Sequence, residues 1–144
     1  MQLNFAYSLK RFIEKETKLP TYLHYDGMKT PNDKNFVIIK QRPNEYIQLA
    51  KARETVRTKY RFEITIFANS LRERMKYQES LGNSFLFKDV IIYDSSTKET
   101  NEKVQVNVLS DTALYPEEIS RESTYHRLYF NIEILHTKHK RDYK

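Results

Sequence analysis

This 144-residue chain reads as an α+β domain, a mostly antiparallel sheet of about six strands with two helices packed on one face. Three observations predict it. From Tyr60 the sequence runs Tyr-Arg-Phe-Glu-Ile-Thr-Ile-Phe, so Tyr60, Phe62, Ile64 and Ile66 share one side and Arg61, Glu63 and Thr65 the other. A period of two is the mark of a strand with one buried face. Ser70-Leu71-Arg72-Glu73 then has the spacing of a helix capping box. Near the end, Leu128, Phe130, Ile132 and Ile134 alternate with Arg127, Tyr129, Asn131 and Glu133, the cleanest strand in the sequence. One-sided helices and one-sided strands bury their apolar faces most economically against each other.

The remaining elements follow in order. Residues 3–17 place Phe5, Leu9, Phe12 and Ile13 at helical spacing among charged residues, an amphipathic helix that Leu19-Pro20 ends. Thr21 to Tyr25 is a short extended piece, and 26–34 a polar loop. Phe36 to Gln41 is a strand, Arg42-Pro43-Asn44 has turn chemistry, and Tyr46, Gln48 and Ala50 begin a further extended stretch. The helix after Ser70 directs Leu71, Met75 and Leu81 to the core, with Gly82 placed to end it in a left-handed cap. Phe85 to Asp94 is a strand, 94–103 a projecting polar loop, and Val104, Val106 and Val108 one side of another strand. Residues 110–123 read as irregular, with one helical turn at Pro116-Glu117-Glu118. Length predicts one domain, residues 1–137, followed by a basic and mobile tail, 138–144.

Composition removes several classes of chemistry. There are no cysteines, hence no disulfides, thiolate metal sites or thiol nucleophiles. The two glycines, Gly27 and Gly82, are too few for phosphate-cradling or dinucleotide loops. The longest aliphatic or aromatic run is four residues, Phe36-Val37-Ile38-Ile39, far short of the roughly 20 needed to cross a bilayer, and the N-terminus does not read as a secretory signal. Eleven Tyr and eight Phe are read first as sheet packing.

Charge is distributed unevenly. Residues 1–61 carry 13 Lys/Arg against 6 Asp/Glu, residues 62–137 carry 8 against 12, and residues 138–144 carry 4 against 1. A basic end and an acidic middle suit a protein that stacks on copies of itself or on layered partners, and equally one that touches a polyanion. If 51–67 is one continuous strand, Lys51, Arg53, Arg57, Lys59 and Arg61 form a basic stripe about 33 Å long on one face. A bulge or turn near Glu54 would divide it. Three roles fit such a stripe: contact with phosphates, protection of a strand edge against aggregation, and pairing with a neighbouring subunit's acidic residues.

Catalytic constellations are weak. His136 and His139 are three apart, which on a strand means opposite faces rather than shared metal ligation. His24 reads as a surface or strand-edge residue. Asp89, Asp94 and Glu14-Lys15-Glu16 supply residue types used by metal-dependent nucleases, but their spacing does not make them converge, and they read as solvated charge. No Gly-x-Ser-x-Gly elbow exists. The sequence is therefore read as that of a non-enzymatic protein without metal or cofactor.

The order of elements resembles a known family. An N-terminal amphipathic helix precedes Leu19-Pro20-Thr21-Tyr22 and the strand Asn35 to Lys40. Tyr60-Arg-Phe-Glu-Ile-Thr-Ile-Phe-Ala-Asn-Ser70 then leads into a helix, and Arg127-Leu-Tyr-Phe-Asn-Ile-Glu-Ile134 closes the fold. Together these resemble the tail terminator, or tail completion, proteins of long-tailed bacteriophages. The basic run before Tyr60 and the tail 138–144 fall outside the pattern. The resemblance implies a structural virion protein, assembled in the host cytoplasm, that forms a closed ring, typically a hexamer. Such a ring caps the tail tube, ends its polymerisation and meets the head completion or connector protein, while DNA only passes through the lumen. On that reading, Lys51, Arg53, Arg57, Lys59 and Arg61 face the lumen or a neighbour. The loop Ser95, Ser96, Thr97, Lys98, Glu99, Thr100, Asn101, Glu102 and Lys103 is then the candidate docking element, ordering on contact.

Overall fold

Helix α1 (Gln2–Thr17) buries Phe5, Leu9 and Ile13, one side of its 3.6-residue repeat, and leaves Arg11 and Lys15 in water. Local chemistry stops it ahead of Pro20. The Thr17 hydroxyl donates to the Ile13 carbonyl at 2.7 Å, and Lys18 turns to a left-handed φ of 61° while its N–H donates to the Glu14 carbonyl. These elements belong to a computed structural model that describes residues 2–25, 27–29, 31, 34–49, 55–94, 99–115 and 125–139.

Strand β1 (Thr21–Leu23) pairs in parallel with β2 (Phe36–Gln48). The expected turn at Arg42-Pro43-Asn44 is instead a bulge within one 13-residue strand, where register shifts between Arg42 and Glu45. Proline has no N–H to give a ladder, so it is tolerated where the ladder is already interrupted. A hairpin leads to β3 (Thr55–Ala68), closed by the Leu49 N–H donating to the Thr55 carbonyl at 2.9 Å. Along β3, Tyr60, Phe62, Ile64 and Ile66 are all buried, as their alternation predicts.

Ser70 caps helix α2 (Leu71–Phe87), its hydroxyl accepting from the Glu73 N–H at 3.2 Å. The predicted end at Gly82 is wrong. The helix runs five residues further, so Phe85 is a buried helical residue rather than the start of a strand, and the cap is the extended Lys88. Leu81 and Phe85, one turn apart, are both fully buried, and that packing carries the helix past its glycine. Leu71 and Met75, expected in the core, are exposed. A Cβ added at Gly82 would meet the Phe130 ring at 3.9 Å, an ordinary contact. Gly82→Ala is therefore expected to raise stability by about 0.5–1 kcal/mol, measured by urea denaturation.

Strand β4 (Val90–Tyr93) pairs with β5 (Glu99–Val104) as a separate two-stranded ribbon. The expected single strand through Val104, Val106 and Val108 is two elements. β5 ends at Val104, Val106 is buried between them, and β6 (Asn107–Leu114) joins the main sheet. Residues 110–114, read as irregular, are thus part of β6, while the proposed turn at Pro116 lies outside the described residues. Strand β7 (His126–His139) crosses the predicted domain limit, since Lys138 and His139 pair with Val56 and Thr55. Of the proposed tail, residues 140–144 lie outside the described residues.

The five-stranded sheet has the order β1-β2-β3-β7-β6 and is antiparallel except for β1–β2. Both helices pack on the face carrying Ile39, Phe62, Ile64, Phe130 and Ile132, and the ribbon adds Val90 and Ile92 to the same core. Helix α1 lies over the β1–β2 side and α2 over β3, β7 and β6.

Candidate functional site

With both helices on one side, the opposite face of the sheet has no helical cover among the described residues. Residues opposed in an antiparallel pair point the same way, so register identifies the side chains on it. Lys40, Arg42, Arg57, Lys59, Arg61 and Arg127 share this face with Glu45, Glu63 and Glu133. Three of the five residues of the predicted stripe, Arg57, Lys59 and Arg61, are thus brought together as expected. Lys51 and Arg53 lie outside the described residues.

The stripe is braced from within. Arg61 donates to a Glu45 carboxylate oxygen at 2.7 Å, Lys59 lies 3.9 Å from the same oxygen, and the Arg61 Nε lies 3.6 Å from Glu133. These carboxylates offset the repulsion between Arg61 and Arg42, which sit directly opposite each other. Glu133 is itself largely buried, so its charge is less screened by water than that of a freely solvated acid. Two of the three stripe cations are therefore engaged, and Arg57 stands exposed.

The other end of the same face is aromatic, which sequence reasoning missed. Phe36 stacks on Phe67 with centroids 4.5 Å apart, Tyr125 meets both edge-on, and Tyr22 meets Phe36 at 6.5 Å. The Arg127 guanidinium lies over the Phe67 ring at 5.0 Å. Phe36 is fully buried by this cluster although no helix reaches it. The available signal was parity: Phe67 falls on the same side as Arg61 and Glu63, where a polar residue belongs.

The predicted docking loop is redrawn. Ser95, Ser96, Thr97 and Lys98 lie outside the described residues, whereas Glu99, Thr100, Asn101, Glu102 and Lys103 are strand β5. Backbone pairing with β4 orders them, with Tyr93 opposite Glu99 and Ile91 opposite Lys103. The ribbon is fastened to α1 by the Tyr93 N–H, which donates to the Ser8 hydroxyl at 2.8 Å, and by Arg11 over the Tyr93 ring at 4.4 Å. It also meets β7, where the Glu102 carboxylate lies 3.8 Å from His136 Nε2. Burial pushes the His136 pKa down, and Glu102 only partly opposes this.

Of the residues weighed for metal-assisted hydrolysis, Glu14 and Glu16 are engaged in ion pairs. Glu16 accepts from Lys88 Nζ at 2.9 Å and from the Ser84 hydroxyl at 3.2 Å, joining α1 to the end of α2, while Glu14 pairs with Lys10 within α1. Asp89 is exposed. Among the described residues, no three His, Asp or Glu side chains come together in a way that holds a metal ion. The Lys88 hydrogen bond holds the Glu16 carboxyl below its ordinary range, with burial opposing. Its stabilising contribution is therefore present above the usual carboxylate pKa and lost as pH falls through the lowered one. Glu16→Gln is expected to cost up to about 1 kcal/mol at pH 7, because Lys88 is half-exposed and screened by solvent. The gap to the parent should narrow in urea melts taken at progressively lower pH.

Among the described residues, no helix is long and apolar enough to cross a membrane. Comparison of the sequence with models of known protein families and with curated proteins gives no match.

Proposed function

We propose that this chain is a structural subunit of the tail terminator kind, forming a ring that caps a phage tail tube and meets the connector above it. The order of its elements carries this reading. An N-terminal amphipathic helix, Leu19-Pro20-Thr21-Tyr22 and the strand after Pro31, the strand from Tyr60 that leads through Ser70 into a second helix, and the closing strand from Arg127 are the features on which the resemblance rests. Large uncovered surfaces support it further, because such a protein works through interfaces rather than through a pocket with reacting groups. The outer sheet face, aromatic at one end and charge-paired at the other, suits contact with another protein: the rings supply anchors and the paired charges supply register. Negative-stain imaging of the purified protein, alone and with tail tubes, tests the proposal. Closed annular particles and decoration of tube ends are expected; a protein that stays monomeric and ignores tube ends would remove it.

A second reading, a nucleic-acid-binding module, is favoured by Lys40, Arg42, Arg57, Lys59 and Arg61 on one face. It predicts binding that weakens steeply with salt, with a slope reduced by about 2 in the Arg57→Ala/Lys59→Ala variant. The ion pairs of Glu45 and Glu133 count against it, since each phosphate contact by Lys59 or Arg61 competes with a carboxylate already in place. Weak binding that those two changes leave unaltered would dispose of it.

A further inference from the structure

Strand β7 carries an imidazole where the pattern of the sheet calls for an apolar residue. His136 falls on the same side as Phe130, Ile132 and Ile134, the side that the helices cover. Its side chain is 19% exposed, and its ring meets Phe5 of α1 edge-on at 5.7 Å. Nδ1 is buried with no hydrogen-bond partner among the described residues. The hydroxyl oxygen of Thr58, directly opposite on β3, is in the same condition, so no acceptor in place reaches Nδ1. Nε2 lies 3.8 Å from Glu102 Oε1 on β5, close enough to feel the charge but too far for a hydrogen bond.

A neutral imidazole is tolerated at this site, and a charged one is not. When neutral, one nitrogen donates and the other accepts; when charged, both carry a proton and each needs an acceptor. The proton on Nδ1 then has none, and a buried donor left unmet carries its full desolvation cost. The charged groups around the ring are divided. Glu102 favours protonation, whereas Lys138, two residues along on the same side of β7, and the chain's terminal amine oppose it. Lys138 is held over the Tyr60 ring at 5.2 Å, and Lys103, beside Glu102, adds a further cation to the cleft next to His136. Burial decides the balance against the charged form. The packing around His136 is therefore fully favoured above the ordinary histidine value of 6.5 and weakens as pH falls through it toward the lowered one.

Of the contacts around this ring, the one with the ribbon is the weakest held. Strand β7 is paired with β3 along the whole of that strand and with β6 on its other edge, whereas β5 belongs to a separate sheet and shares no ladder with it. On the ribbon side a cleft lined by Glu102, Val104, Asn107, Leu135 and Thr137 borders His136. We infer that His136 is an acid-sensitive latch: neutral, it seats β5 against β7, and protonated, it turns into the cleft and frees β5. The ribbon's other fastening, Tyr93 to Ser8 and Arg11, involves no histidine or carboxylate, so β4 stays tethered while β5 moves. The latch stands apart from the proposed ring and operates in a single copy.

The experiment is an NMR titration of the full chain from about pH 7.5 to about pH 5.5, with amide protection factors measured at both ends. The His136 ring is expected to titrate below 6.5. Protection in β5 should fall by about 3- to 10-fold across that range, while β3 is unchanged. His136→Phe keeps a ring against Phe5 and removes the charge, so it should abolish the loss. Glu102→Gln takes away the carboxylate that favours the charged ring, so it should deepen the loss. A His136 midpoint above 6.5, or protection in β5 that holds or rises on acidification, would overturn the latch. An equal loss in His136→Phe would overturn it too, assigning the effect to His24 or His126, as would a loss spread evenly over the main sheet. Were His136→Phe unable to fold, the ring titration and the protection pattern of the parent would still decide between these outcomes.

Discussion

Phe130→Ala should destabilise the domain by about 3–5 kcal/mol, the largest effect of any single truncation considered for this protein. Phe130 sits near the middle of β7, is 1% exposed, and faces both helices' contribution to the core. Its ring meets Phe85 of α2 edge-on at 5.9 Å and lies under Gly82, while Phe85 in turn stacks on Phe12 of α1 at 5.7 Å. Removing it takes away the surface on which α2 rests, at the position where the helix has no side chain of its own to fill the gap. A domain of this size has about 5–15 kcal/mol in total, so the variant should unfold at far lower urea than the parent. A loss below about 1 kcal/mol in equilibrium denaturation would mean that this ring is not the keystone of the helix–sheet interface.

Ser8→Ala is expected to cost about 1–3 kcal/mol, although it removes only a hydroxyl from a residue that stays a good helix former. Ser8 is 1% exposed, and its hydroxyl donates to the Asn4 carbonyl at 2.6 Å and accepts from the Tyr93 N–H at 2.8 Å. Within α1 the first bond is of minor importance, since serine in a helix commonly bonds back one turn. The second is the consequential one: without the hydroxyl, a strand N–H directed at a buried helix loses its partner. The damage should be local, with faster amide exchange in β4 and β5 than in β3 and β7. Equal acceleration throughout the sheet, or none, would show that Ser8 does not fasten the ribbon.

Much of the main sheet was legible because its signal is local. The alternation at 60–66 and 128–134 is set by residues two apart, and a strand that buries one face must alternate whatever it pairs with. The cap at Ser70 was equally readable, because the hydroxyl and the N–H it serves are three residues apart. Where the reading failed, the deciding contact was remote. Gly82 looks like a helix end until Phe85 finds Phe130, 45 positions away, and Pro43 looks like a turn until β3 pairs across its bulge. The valines at 104, 106 and 108 look like one strand because nothing local tells the chain to leave one sheet for another.

The candidate surfaces divide in the same way. That Arg57, Lys59 and Arg61 share a face follows from parity. That Glu45 and Glu133 engage two of them does not, because those acids lie on two other strands, and only register brings all three strands together. The aromatic cluster of Tyr22, Phe36, Phe67 and Tyr125 likewise draws on four separate segments. By itself the sequence determined the α+β class, the two helices, the buried face of β3 and β7, and the side of β3 on which the basic residues stand, all consequences of short-period patterning. Tertiary structure alone decided which apolar residues of α2 remain uncovered and which charges are paired. Both depend on how far the sheet and the first helix extend beneath α2, a distance that no local period encodes.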